Sequence, residues 1–408
     1  MRLNRIWAVA AKEVLSTIRD QRAIISNLVL PLVLLPVIML GMPLLLGGLF
    51  QREAVSVTEV AIKGADAMPA ELRTAIEAQN VELIAVDDPE AAVREGEFVA
   101  GLVIPPGFAK EVTGGGNASV TLLAKVGNMR SELNASKVQE ALGSYQQQVV
   151  AERLGAAGLD PAILQPVNVT RVDASSEAER SSGQLSWLIP FFIAIWTLTG
   201  GQMTAIDATA GEKERGTLES LLVAPVRRSE VVAGKFLATM VFGLSAALAA
   251  IVGYLVGGVA LRSVFLPRLG DDAESLVAVM GGSLAVDAGS IVLLLISAVL
   301  LAAVVSAVLI GICMFARSFK EAQSYVAPLS FLFVIPAVAL QFKDLIGLGD
   351  GAYFVPVFNA LLVMDDIVKG AATAQHLLIT WGSLVVVVIL LLIFAYRNFT
   401  REDVIFRS

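Results

Sequence analysis

"GEKERGTLESLLVAPVRRSEVVAGK", residues 211–235, carries nine charges: Glu212, Lys213, Glu214, Arg215, Glu219, Arg227, Arg228, Glu230 and Lys235. On either side, residues 181–206 and 236–261 contain no Asp, Glu, Lys or Arg at all. A helix of roughly 20 apolar residues crosses a bilayer, so the stretch reads as a charged connector between two membrane spans. The same criterion finds six charge-free windows in the chain: 23–51, 181–206, 236–261, 288–316, 322–342 and 370–396. The first is too long and too proline-marked (Pro31, Pro36, Pro43) for a cleaved leader, so it reads as a retained helix. Composition agrees, with 56% hydrophobic residues, 16% charged and a mean hydropathy of +0.74; soluble domains carry about a quarter charged residues.

Several function classes drop out. The net charge of −7 without long basic runs argues against a nucleic-acid partner. Cys313 and His376 are the chain's single cysteine and histidine, too few for a disulfide framework or a soft-ligand metal site. No catalytic constellation is evident, and the chain itself is expected not to be an enzyme. "GGG" at 114–116 lacks the Lys-Ser/Thr of a phosphate loop and reads as a turn, while "AGKF" at 233–236 lacks the other parts of a P-loop.

Orientation follows from the basic residues. With both termini cytoplasmic, the inner segments collect Arg2, Arg5, Lys12, Arg19, Arg22, Lys213, Arg215, Arg227, Arg228, Lys235, Arg317, Lys320, Arg397, Arg401 and Arg407. The short outer loops hold Arg262, Arg268, Lys343 and Lys369. Residues 52–180 are then extracytoplasmic. There, strand-like "VTEVAIKG", "VELIAV", "FVAGLVIP", "ASVTLLAKVG" and "VNVTRV" alternate with helical "PAELRTAIEAQN", "DPEAAVREGE", "PGFAKEVTGG" and a long helix around 131–155. The alternation predicts a compact α/β domain with a partly parallel sheet. The expected fold is a membrane all-α bundle of six transmembrane helices, with this α/β extracytoplasmic domain inserted between helices 1 and 2.

Within the connector, Leu218, Leu221 and Leu222 have helical spacing, and Arg215 and Glu219 are placed to pair. Pro225 stops that helix; Ser229 is positioned to cap the next, with Glu230 in its first turn. The result is a helix–turn–helix elbow at the cytoplasmic surface. Residues 1–22 form an amphipathic helix with Leu3, Ile6, Trp7, Ala10, Val14 and Ile18 on one face and Arg5, Lys12, Glu13, Arg19 and Asp20 on the others. Such a helix lies in the membrane interface. Ala249, Gly253 and Gly257 make a small-residue stripe for close packing in the third span. Residues 343–369 are too polar and broken to span and are expected to form an outer re-entrant or surface hairpin. Thr197, Thr199, Gln202, Thr204 and Asp207 form a polar cluster on the second span, either lining a path or packing helices.

"GEKERGTLESLLVAPVRRSEVVAGKFLA" closely resembles the signature of ABC-2 type transporter permeases. The resemblance extends to "AKEVLSTIRDQRAI", "ARSFKEAQ" and "YFVPVFNALLVMDDIVKG", so it covers nearly the whole chain. A large insert between spans one and two is most similar to the sodium-extrusion and drug-efflux members. The resemblance implies a permease subunit of an exporter in the bacterial cytoplasmic (inner) membrane, moving a sodium ion, drug or lipid-like compound outward. The chain would carry no cofactor; ATP and magnesium would sit on a separate ABC ATPase subunit. That subunit would dock on the elbow at Glu212, Glu214, Arg215, Gly216, Thr217, Leu218 and Glu219, with the Pro225-to-Arg228 turn completing it. The transport path would draw on Thr197, Gln202, Thr204 and Asp207. Further expected partners are a second permease, as a homodimer or related heterodimer, membrane lipid and a periplasmic adaptor for the insert. The alternatives are a membrane-anchored sensor or assembly factor, and an ATP-independent secondary transporter.

Overall fold

The chain opens with α1 (Leu3–Ile18), which two residues, Arg19 and Asp20, separate from the apolar helix α2 (Gln21–Ile38). The Asp20 carboxylate accepts the Arg22 N–H at 2.9 Å, an N-cap that starts the second helix as a new element. The computed structural model describes residues 2–38, 41, 56–164, 186–217, 225–265, 267 and 288–399. It falls into two units, Met1–Pro43 with Ala174–Ser408, and Leu44–Asp173.

The second unit is α/β. Its strands β1 (Thr58–Lys63), β2 (Val81–Ala85), β3 (Ala100–Val103) and β4 (Thr121–Ala124) form one sheet in the order β2-β1-β3-β4. β1 runs parallel to β2 and β3, and β4 closes the edge antiparallel. The helices α3 (Ala70–Glu77), α4 (Pro89–Glu95), α5 (Phe108–Thr113) and α6 (Met129–Ala156) alternate with the strands. Val60, Ile62, Leu72, Ile76, Leu102 and Val138 are buried together between sheet and helices, the layering that a βαβ pattern requires. Polar bonds fix where α6 sits. Thr58 donates to Asn134 at 2.7 Å, and the Ser131 hydroxyl donates to the Val99 carbonyl at 2.5 Å. The expected strand "VNVTRV" lies outside the described residues.

In the first unit the chain continues as α7 (Leu188–Glu214), α8 (Arg228–Ala260), α9 (Gly289–Cys313), α10 (Phe319–Leu340), α11 (Phe358–Val368) and α12 (Ala374–Phe399). With α2, all of these except α11 are long and apolar enough to cross a membrane, so six candidate spans are present. α7 and α8 overrun their charge-free windows by the most. α7 continues past 206 to Glu214 and α8 begins at Arg228 instead of 236, because Glu212, Glu230 and Lys235 are buried and paired, as described below. Ser229 is not the cap of α8. Arg227 takes that position, and the Glu230 carboxylate reaches back to accept its N–H at 3.1 Å.

α8 is the organising helix, and two glycines let its neighbours approach. A Cβ on Gly234 would stand 2.6 Å from Val9 Cβ of α1, and one on Gly253 would stand 2.9 Å from the Pro31 and Leu32 carbonyls of α2. Of the small-residue stripe, Gly253 thus seats the first span within the same chain. Toward the C-terminus, residues 343–369 fold as a short helical turn, a 3-10 turn and α11; every α11 residue from Asn359 to Val368 is buried.

Candidate functional site

α1 packs through Ile6, Val9, Ala10 and Glu13, while Leu3, Trp7 and Ile18 stay exposed. The expected apolar face is therefore split: part of it meets protein, and a carboxylate is buried with it. Glu13 lies 4% exposed, Glu212 3% and Lys235 1%. The Lys235 ammonium donates to a Glu212 oxygen, to Glu13 at 3.4 Å and to the Ala208 carbonyl. Lys12, half exposed, donates to the other Glu212 oxygen and to Glu13 at 3.1 Å. Two carboxylates thus share two ammoniums across α1, the end of α7 and the start of α8. Such pairing is what makes charge tolerable in a dry interior. Burial alone would lower the Lys12 pKa, but the hydrogen bond and charge of Glu212, with Glu13, hold it above the ordinary lysine value.

The rest of the elbow is tied down in the same way. Arg215 pairs with Asp207 at 2.8 Å, chiefly through a hydrogen bond that raises its pKa; the expected partner Glu219 lies outside the described residues. Lys213 donates to the Met314 carbonyl, and the Glu214 carboxylate accepts the Phe319 N–H at 2.7 Å, so the turn between α9 and α10 is also attached. Arg5 donates to the Pro225 carbonyl, and Glu230 accepts the Arg2 N–H at 2.7 Å.

Of the elbow residues singled out from the sequence, Glu212 is an internal member of this network, whereas Glu214, Arg215, Gly216 and Thr217 are exposed beside it. Pro225 is exposed and Arg228 half-buried; Leu218 and Glu219 lie outside the described residues. Glu13 and Lys235 were missed as site residues. The signal available was a buried-face carboxylate on a helix whose apolar neighbours are Ile6, Val9 and Ala10.

The polar residues of α7 do not share one surface. Thr197 and Thr204 are buried, Thr197 donating to the Ile193 carbonyl of its own helix at 2.6 Å. Thr199 is exposed, Gln202 is half-buried, and Asp207 is committed to Arg215.

A second charged cluster closes the 343–369 region. Asp365, fully buried, meets Lys343 at 2.6 Å and Lys369 at 2.9 Å; Asp366 meets Lys343 at 2.9 Å and accepts the Tyr353 hydroxyl at 2.5 Å. The Tyr353 ring stacks on His376 of α12 with centroids 3.8 Å apart. Asn359 donates to Ser383 of α12 at 2.6 Å. These bonds latch the hairpin to the last span. Burial would lower the Lys343 pKa, but the charges of Asp365 and Asp366 hold it above the usual lysine value. Burial, then Asp366, pushes the Tyr353 phenol well up. Among the described residues no group of three or more His, Cys, Asp or Glu is arranged to hold a metal ion.

The family model described as "ABC-2 family transporter protein" matches residues 7–404. The chain belongs to the ABC-2 transporter family. A curated relative, the "ABC transporter permease protein NatB" of Bacillus subtilis (strain 168), is 26% identical over 397 residues, covering 96% of this chain and 97% of the relative. No solved structure matches the chain. This ABC-2 chain is accordingly a multi-pass membrane protein and an ABC transporter membrane subunit, and that family implies an ATPase partner. The buried network sits on the motif that carries the resemblance.

Proposed function

We propose that this chain is the permease of an ABC exporter in the cytoplasmic membrane, with both termini inside and residues 52–180 outside. ATP would be hydrolysed on a separate subunit docked at the elbow. The observation that carries this is mechanical: the exposed Glu214–Thr217 surface is bonded, within a few residues, to α1, α7, α8 and the turn before α10. A push there is delivered to four elements at once, which a passive anchor has no use for. Two copies, twelve spans together, would enclose the path. The cargo favoured is an apolar or lipid-like compound, since α7 offers exposed Thr199 and half-buried Gln202, and Asp207 is already neutralised by Arg215. A bare ion would want free oxygen ligands.

The test is co-purification from native membranes. Because Glu214 also holds Phe319 inside the chain, the docking variant is Leu218→Ala with Glu219→Ala. A P-loop ATPase recovered with the wild type and lost with this folded variant is the expected result. A wild-type preparation without such an ATPase, under conditions that preserve other membrane complexes, overturns the reading in favour of a sensor.

A further inference from the structure

Residues Asp207–Gly211 of α7 form a π turn. A π turn holds one residue more than an α turn, and backbone carbonyls beside the insertion lose their α-helical partners. Here outside cations cap them. Arg215 Nη2 donates to the Asp207 carbonyl at 3.4 Å while its Nη1 holds the Asp207 carboxylate at 2.8 Å, and Lys235 Nζ donates to the Ala208 carbonyl. Gly211 makes room, since a Cβ there would lie 3.0 Å from the Asp207 carboxylate and 3.4 Å from the Arg215 guanidinium. The Lys235 ammonium is in turn held by Glu13 on α1 and by Glu212 immediately after the turn.

We propose that Lys235 is a positioning residue for transport: by capping Ala208 it holds the extra residue in α7, and displacement of the elbow or α1 releases that residue into an α register. The capping ammonium is oriented by carboxylates on the two elements a docked partner would move. Once Glu13 or Glu212 shifts, the ammonium cannot satisfy both carboxylates and the carbonyl. The α register then satisfies the carbonyl internally. Without loss of a residue, that reset turns everything after 211 by about 100° and advances it by about 1.5 Å relative to the upper part of the span. A small pull thereby becomes a discrete rotation between two packed states. The coupling reading enters only in naming what moves the elbow.

The test separates the turn from the coupling. Removing Ala210 should convert the turn to an α register while leaving both flanks facing as they do now, because the π turn already absorbs the extra residue. Hydrogen exchange of segment 203–217 is measured on the full chain in lipid nanodiscs. Lys235→Met should speed exchange of the amides around 207–212 by about tenfold, the order expected for losing a charge-assisted bond. Lys235→Arg should largely restore protection, and so should Lys235→Met combined with removal of Ala210. Both Lys235→Met variants also carry Glu13→Gln and Glu212→Gln, so that no buried carboxylate is left unpaired. No acceleration in Lys235→Met, or a loss of protection that removing Ala210 fails to cure, overturns the proposal.

A second measurement uses the complex with the ATPase subunit, in a Cys313→Ala background carrying spin labels at Thr199→Cys and Thr217→Cys. The distance should change on adding ATP in the wild-type register and stay fixed once Ala210 is removed. A change that persists without Ala210 also overturns the proposal. A subunit that binds neither chain counts against the coupling reading alone, and the exchange result then decides the turn.

Discussion

Lys235→Met leaves Glu13 and Glu212 buried with Lys12 as their nearest cation, whereas Lys12→Met removes a half-exposed partner and keeps the buried one. Breaking a buried pair costs about 3–5 kcal/mol, and a partly solvated one about 0–1 kcal/mol. Thermal unfolding in detergent should therefore fall steeply for the first variant and barely for the second. At the other cluster, Lys343 and Tyr353 both have raised pKa values in the folded chain. A raised pKa contributes stability that is complete below the unfolded value and lost as pH rises through the folded one. The ordinary lysine and tyrosine values are both about 10. The contribution of Lys343 and Tyr353 to the latch should accordingly be complete at neutral pH and fade only above about pH 10. The tyrosinate absorbance of the wild type minus that of Tyr353→Phe should show a phenol titrating later than a free tyrosine.

At the scale of elements, glycines decide which helices can touch. Gly234→Ala would drive a methyl into Val9, and Gly253→Ala would drive one into the α2 backbone, whereas nothing lies within 4 Å of the corresponding point on Gly258. Overpacking of this kind costs about 1–3 kcal/mol, while glycine to alanine in an open helix position gains about 1 kcal/mol. Unfolding midpoints should separate the first two variants from the third in sign. Gly234→Ala should also weaken the grip of α1 on α8. That is measured as faster hydrogen exchange at Ile6–Glu13, with the 58–63 strand unchanged.

Across the whole molecule, the distribution of basic residues sets the expected sidedness. In a Cys313→Ala background, a membrane-impermeant thiol reagent added to intact cells should label Gly115→Cys in the insert and leave Lys320→Cys, between α9 and α10, unlabelled until the membrane is opened. The reverse pattern would invert the topology and place the elbow outside, where no ATPase could reach it. The six apolar helices, and the β1-to-α6 alternation between the first and second of them, were legible because each rests on local pattern. Hydrophobic runs mark spans, and period-two runs between helical ones mark a parallel sheet.

From the sequence alone follow the membrane class, the number of candidate spans and the family motif, since apolar length and motif spacing are properties of contiguous residues; the expected helix over Leu218, Leu221 and Leu222 lies outside the described residues. What only the tertiary structure decided is where the charges go. Glu13 and Lys235 are 222 residues apart in the chain yet share a bond, and nothing in either segment announces the other. The charge-free windows cut α7 and α8 short for the same reason: the criterion counts every carboxylate and ammonium as solvated. Glu212 and Lys235 are instead buried inside helices because the fold supplies each with an opposite charge. The π turn at Asp207–Gly211 was equally invisible, because Lys235, which donates to its Ala208 carbonyl, arrives from another helix.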